Sequence, residues 1–157
     1  MVRSPPSAPL AGDSYDPGMT RQRRFDVKTQ QRSQFIEVTG QVEDFLREAG
    51  VKSGLVTVYV PHTTAGVTIN ENADPDVVHD MLGQLDRMVP WEQPFYRHAE
   101  GNSAAHVKAS MMGSSVTIPV GGGRLALGRW LGVYRGVFDG ARTREVIVVV
   151  SGEGDRD

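Results

Sequence analysis

The chain of 157 residues is 39% hydrophobic, with a formal net charge of −2 and an isoelectric point near 6.1, a balance that suits one domain with a real core and gives no basic field for nucleic acid. No apolar run approaches the ~20 residues of a membrane span, and the N-terminus lacks a signal-peptide core, so a soluble, cytoplasmic protein with no membrane partner is expected. The absence of cysteine excludes thiolate catalysis, thiolate metal sites and disulfides, leaving His, Asp and Glu as metal ligands.

Residues 1–22 contain Pro5, Pro6, Pro9 and Pro17 with almost no apolar periodicity, and are expected to form a flexible tail before a domain over 23–157. Alternation through Phe25, Val27 and Thr29 predicts a strand, and Phe35 to Val38 a second. Thr39 is expected to cap a helix that buries Val42, Phe45, Leu46 and Ala49 and stops at Gly50. Leu55 to Val60 reads as a buried strand feeding the polar turn Pro61-His62-Thr63-Thr64-Ala65-Gly66, and Val67 to Ile69 resumes as strand. Asp74-Pro75 opens a second helix with a stripe of Val78, Met81, Leu82 and Leu85, which Pro90 ends.

Asn102 or Ser103 caps a third helix through Met112. Ser115 to Val120, Trp130 to Phe138 and Glu145 to Val150 read as further strands, with glycines and aromatics sharing one face of the second. Asp139-Gly140 reads as a hairpin turn before the third. About seven or eight strands and three helices predict an α+β fold. The methionines, Met88 and Met111 among them, read as core filler, and His79 as a surface residue.

The densest chemistry lies between His98 and Lys108, where two imidazoles, the Glu100 carboxylate, the Asn102 carboxamide and an ammonium surround Gly101. His98 and Glu100 share a face if the segment is extended, and His106 can point back from the helix toward His98. Two such imidazoles could meet at a divalent cation, zinc or magnesium, with His62 as a further ligand; a capped helix start with an exposed His is the plainer alternative. The turn at His62, Thr63 and Thr64 can hold an oxyanion, and Glu71 can act as base or ligand, although Thr and Asn are also ordinary turn formers. Arg124 and Arg129 follow glycines in a pattern suited to phosphate, with Lys108 as another candidate, but the stretch is not a P-loop.

Val60-Pro61-His62-Thr63-Thr64-Ala65-Gly66-Val67-Thr68-Ile69-Asn70-Glu71, Asp74-Pro75-Asp76-Val77, His98-Ala-Glu100-Gly101-Asn102-Ser103-Ala-Ala-His106-Val-Lys108, Gly123-Arg124-Leu125-Ala126-Leu127-Gly128 and Phe138-Asp139-Gly140 resemble, in order, the motifs of the YjbQ family, also called UPF0047. The resemblance covers about residues 24 to 153. It implies packed β-sheets, a homotrimer, and a secondary thiamine-phosphate synthase activity that joins a pyrimidine methyl diphosphate to a thiazole phosphate. It also marks His62, Glu71, His98, Asn102 and His106 as site residues. Two departures stand out: Ala104 replaces an aspartate of the family pattern, and Arg129 and Leu131 replace a threonine and a glutamine. They keep open the alternative of a non-catalytic trimer that binds an anion or a metal.

Overall fold

The computed structural model describes residues 18–155. β-Branched residues dominate its interior, and the strands they favour divide between two antiparallel sheets. In chain order the elements are β1 (Met19–Lys28), β2 (Gln34–Glu37), α1 (Thr39–Ala49), β3 (Ser53–Tyr59), β4 (Ala65–Glu71), α2 (Pro75–Met88), α3 (Ser103–Met112), β5 (Ser115–Gly121), β6 (Arg124–Leu125), β7 (Leu131–Val137) and β8 (Thr143–Glu153). One sheet has the order β1-β8-β3-β5-β6 and the other β2-β7-β4. The α+β class and the eight strands agree with the sequence pattern. Residues 1–17 of the expected tail lie outside the described residues, while Met19 to Gln22 pair with Gly152 to Val149 as the start of β1. Apolar patterning misses this stretch because its side chains are largely exposed and it is held by backbone pairing.

The main core lies between the sheets and under α1, where Val42, Phe45 and Leu46 meet Val56, Val58, Val67, Val133, Val148 and Val150. Burying each such side chain is worth roughly 1.5 to 3 kcal/mol over leaving it exposed. A second cluster covers the outer face of the smaller sheet, where Phe35, Tyr134 and Phe138 meet Ala105 and Ala109 of α3. β7 is therefore buried on both faces. By its period of two, Val133, Arg135 and Val137 face the other sheet, and Tyr134, Gly136 and Phe138 face the helices.

Several local expectations change. Thr39 is the first residue of α1 rather than its cap; its hydroxyl donates to Glu37 at 2.8 Å and accepts the Val133 N–H at 2.8 Å, tying helix to sheet. Asp139-Gly140 is not a hairpin turn, because β7 and β8 belong to different sheets and the segment is a crossover. Met88 and Met111 are exposed, since α2 lies on the outer layer with no fully buried residue and Met111 points out from α3. The Asp74 cap, with Pro75 opening α2, and the left-handed Gly50 after α1 are as expected.

Gly66 on β4 fixes where α3 sits. A β-carbon there would stand 2.6 Å from the Gly113 carbonyl oxygen and 2.9 Å from Met112 Cβ, so the strand meets the end of the helix without room for a side chain. Gly66→Ala is expected to cost about 1 to 3 kcal/mol in denaturant unfolding by overpacking this contact. Gly83→Ala, in α2 with nothing within 4 Å of the new carbon, should instead stabilise by up to about 1 kcal/mol through helix propensity. Equal effects from the two would show that the Gly66 contact is not tight.

Candidate functional site

Three connections meet at one end of the sheets. The β3–β4 crossover brings His62, Thr63 and Thr64; the approach to α3 brings His98, Glu100 and Asn102, with His106 one turn into the helix; the β7–β8 crossover brings Asp139 and Arg142, and the start of β8 brings Arg144. Together they line a cavity of about 290 Å³.

Backbone bonds hold these connections in place. The Phe138 N–H donates to the Thr64 carbonyl at 3.0 Å. Buried Thr29 grips the second crossover: its hydroxyl donates to the Arg142 carbonyl at 3.0 Å and accepts the Arg142 N–H at 3.1 Å. Gly140 passes so close to the Gln31 carbonyl that a β-carbon would lie 2.1 Å from its oxygen. Arg142 therefore projects from a fixed backbone.

His62 is the best defined side chain. Its Nε2 accepts the Glu145 N–H at 2.9 Å, which puts the proton of the neutral ring on Nδ1 and leaves an N–H donor. Burial, then the charges of Arg135 and Arg144, hold this imidazole below its ordinary range against the opposing pull of the Glu145 carboxylate. Protonating Nε2 would also cost the Glu145 N–H its acceptor. The His98 and His106 rings meet edge to face, 5.3 Å between centroids, as the spacing across Gly101 predicts. His98 Nε2 lies 4.0 Å from Glu100 Oε2. The Asn102 amide donates to Asp139 Oδ2 at 2.9 Å, which orients the carboxamide, and its Oδ1 is buried without a hydrogen-bond partner among the described residues. Arg142 Nη2 is 3.6 Å from the same Asp139 oxygen, whereas Arg144 forms no ion pair among the described residues.

His62, Thr63, Thr64, His98, Asn102 and His106 thus converge, and four expected members do not. Glu71 ends β4, about 20 Å along the strand from Ala65, and its charge acts instead on Tyr134, whose hydroxyl is pushed up by burial and then by Glu37 and Glu71. Lys108 is buried against Asp86 of α2, because the helix turns it away from His106. Arg124 and Arg129 border a separate cavity of about 640 Å³ with Arg47 and Lys52, and Arg129 stacks over Trp130 at 4.9 Å. Among the described residues no group of three His, Asp or Glu side chains is set to hold a metal ion. With Nε2 engaged, His62 is not offered to one through that nitrogen.

Sequence reading missed Asp139, Arg142, Arg144 and the buried Arg135. The first three sit in a segment that resembled a hairpin; the alternation Arg142-Thr-Arg144 just before an apolar strand was the available signal. Arg135 was visible as a lone charge within the apolar run 130–138.

A two-sheet α+β domain with a histidine- and arginine-lined pocket where its crossovers meet is the class that fold and site define. Residues 23–153 match the family described as UPF0047 protein YjbQ-like. The chain is 50% identical over 130 residues to UPF0047 protein YugU of Bacillus subtilis, covering 83% of this chain and 98% of that one. The crystal structure of an uncharacterised YjbQ/UPF0047 protein from Clostridium acetobutylicum superposes with a TM-score of 0.79 at 49% identity, over 82% of this chain and 99% of that one. A YbjQ-like protein of unknown function from Sulfolobus solfataricus gives 0.82 at 26% identity, over 86% and 99%. The chain belongs to the UPF0047 YjbQ-like family.

The His62 environment has a measurable consequence. The unfolded imidazole takes up its proton near pH ~6.5 and the folded one only at lower pH, so the unfolded state binds more protons between those values. The contribution of His62 to stability is complete above about pH 6.5 and falls as pH drops toward the folded value. An NMR titration of the His62 ring should show a midpoint below that of a free histidine; a midpoint above it would contradict the geometry.

Proposed function

We propose that the His62 pocket binds the phosphate or diphosphate group of a small phosphorylated molecule. The observation that carries this reading is the meeting of the Arg142 and Arg144 guanidiniums with the His62 turn, whose Nδ1–H and threonine hydroxyls add neutral donors to the two charges. The cavity of about 290 Å³ suits a phosphoryl group better than a whole cofactor. A neighbouring cavity of about 490 Å³, lined by Trp91, Pro94 and Tyr96, shares His98 with it. An aromatic ring on that side would leave its phosphate tail reaching toward the arginines.

The finer reading is a thiamine-phosphate synthase-like transfer. In that reaction the bond from the methylene carbon to diphosphate oxygen breaks, the electron pair leaves with diphosphate, and the thiazole nitrogen forms the new C–N bond. Arg142 and Arg144 would neutralise the departing diphosphate, with His62 donating to it through Nδ1–H. None of the three residues in the two departures from the family pattern lines this pocket. Ala104 is fully enclosed in α3, and Arg129 and Leu131 border the other cavity. The same reading takes the assembly as a homotrimer, for which sedimentation equilibrium should return three times the 17.1 kDa chain mass.

Isothermal titration with inorganic diphosphate, with and without added zinc or magnesium, should show binding to the native chain and roughly tenfold weaker binding to Arg144→Ala. Loss of the same size in Arg124→Ala with none in Arg144→Ala would overturn the assignment of the site. Incubation with the pyrimidine diphosphate and the thiazole phosphate should yield thiamine phosphate. Binding without product would leave a non-catalytic anion-binding protein.

A further inference from the structure

Arg135 is the largest fully buried side chain among the described residues. It stands on β7 between Val133 and Val137 and so projects between the sheets. Its one hydrogen bond is a long one, from Nη1 to the Val27 carbonyl at 3.4 Å, while Nε and Nη2 have no partner among the described residues. No carboxylate pairs with it there. Such a group is expensive to bury, since a charge taken from water without a counter-ion loses its hydration and regains little. A methionine of similar reach would fill the space without that cost.

Its position gives the charge a role. Val27, whose carbonyl the guanidinium approaches, lies directly opposite Arg144 in the β1–β8 pairing, and the next residue of β8, Glu145, donates to His62. The guanidinium therefore sits behind the wall of the pocket that carries Arg144 and His62, shielded from water and from carboxylates. Burial, then the neighbouring Arg144, lowers its ordinary value to about 10, so it remains charged at neutral pH.

We propose that Arg135 is a positioning residue for the phosphate site: a buried, uncompensated charge whose counter-ion is the bound anion, and which makes the pocket favour multiply charged phosphoryl groups over monoanions. This rests on the anion-binding reading above and adds to it the charge class of the ligand. A dianion or trianion gains more from a fixed buried charge than a monoanion does, because the attraction scales with ligand charge while the cost of burying Arg135 is already met in folding. The free protein is correspondingly less stable than it would be with a neutral residue there.

The test compares Arg135→Lys, which keeps the charge, with Arg135→Met, which removes it, using inorganic diphosphate and nitrate as probes in titration calorimetry and thermal unfolding. The expected result is that Arg135→Met binds diphosphate about tenfold or more weakly, with little change for nitrate, while Arg135→Lys stays within a few-fold of the native chain. The anion-free Arg135→Met protein should unfold at the same or a higher temperature than the native one. Diphosphate binding within about twofold of native in Arg135→Met, or equal losses in both variants, would overturn the role of Arg135 while leaving the pocket assignment intact. A lower unfolding temperature for anion-free Arg135→Met would also overturn it, marking the arginine as a structural anchor. No diphosphate binding by the native chain would overturn both readings. Should Arg135→Met not fold, Arg135→Gln beside Arg135→Lys makes the same comparison.

Discussion

The site depends on one hydrogen bond between backbone and ring, from the Glu145 N–H of β8 to His62 Nε2. It joins the crossover after β3 to the start of β8. It also fixes which ring nitrogen carries the proton and turns the remaining N–H into a donor. The Phe138 bond to Thr64 and the grip of Thr29 on Arg142 close the same end of the molecule. With those contacts in place, two arginines and an imidazole share one small cavity without relying on flexible side chains to find each other.

The same end of the fold holds a buried charge of a kind that the main core otherwise lacks. Elsewhere the space between the sheets is filled by valines, whose burial supplies the stability that a buried guanidinium subtracts. β7 can carry Arg135 because the strand is enclosed on both sides: Tyr134 and the adjoining Phe138 pack against α3, and Val133 and Val137 are buried on the other face. Gly66 lets the C-terminal end of α3 approach β4 closely. The helices are less buried than the strands, and α2 contributes only half-buried side chains. Rigidity at the pocket thus comes from the sheets and the two crossovers.

Much of this was legible in the residues. Periodicity located the strands and helices, and the polar turn after Val60 and the His98 to His106 stretch do line one cavity. Three kinds of error have physical causes. Glu71, Arg124 and Arg129 carried suitable chemistry, but which end of a strand faces a site is set by sheet pairing that local pattern does not encode. Lys108 looked available because its neighbour His106 is, yet two residues along a helix turn a side chain well away. Asp139-Gly140 read as a hairpin because turn chemistry is the same whether the next strand returns to its own sheet or crosses to another. The lone charge at Arg135 and the Arg142-Thr-Arg144 alternation were visible, but their meaning required knowing that β7 and β8 lie in different sheets.

The central claim is that the anion site is the His62 pocket and not the larger cavity lined by Arg124 and Arg129. A crystal structure of the protein soaked with diphosphate tests it most directly. The account predicts density bounded by Arg142, Arg144 and the His62 turn, with His62 Nδ1 within hydrogen-bond reach of a phosphoryl oxygen. Density confined to the cavity of Arg47, Lys52, Arg124 and Arg129 would contradict it.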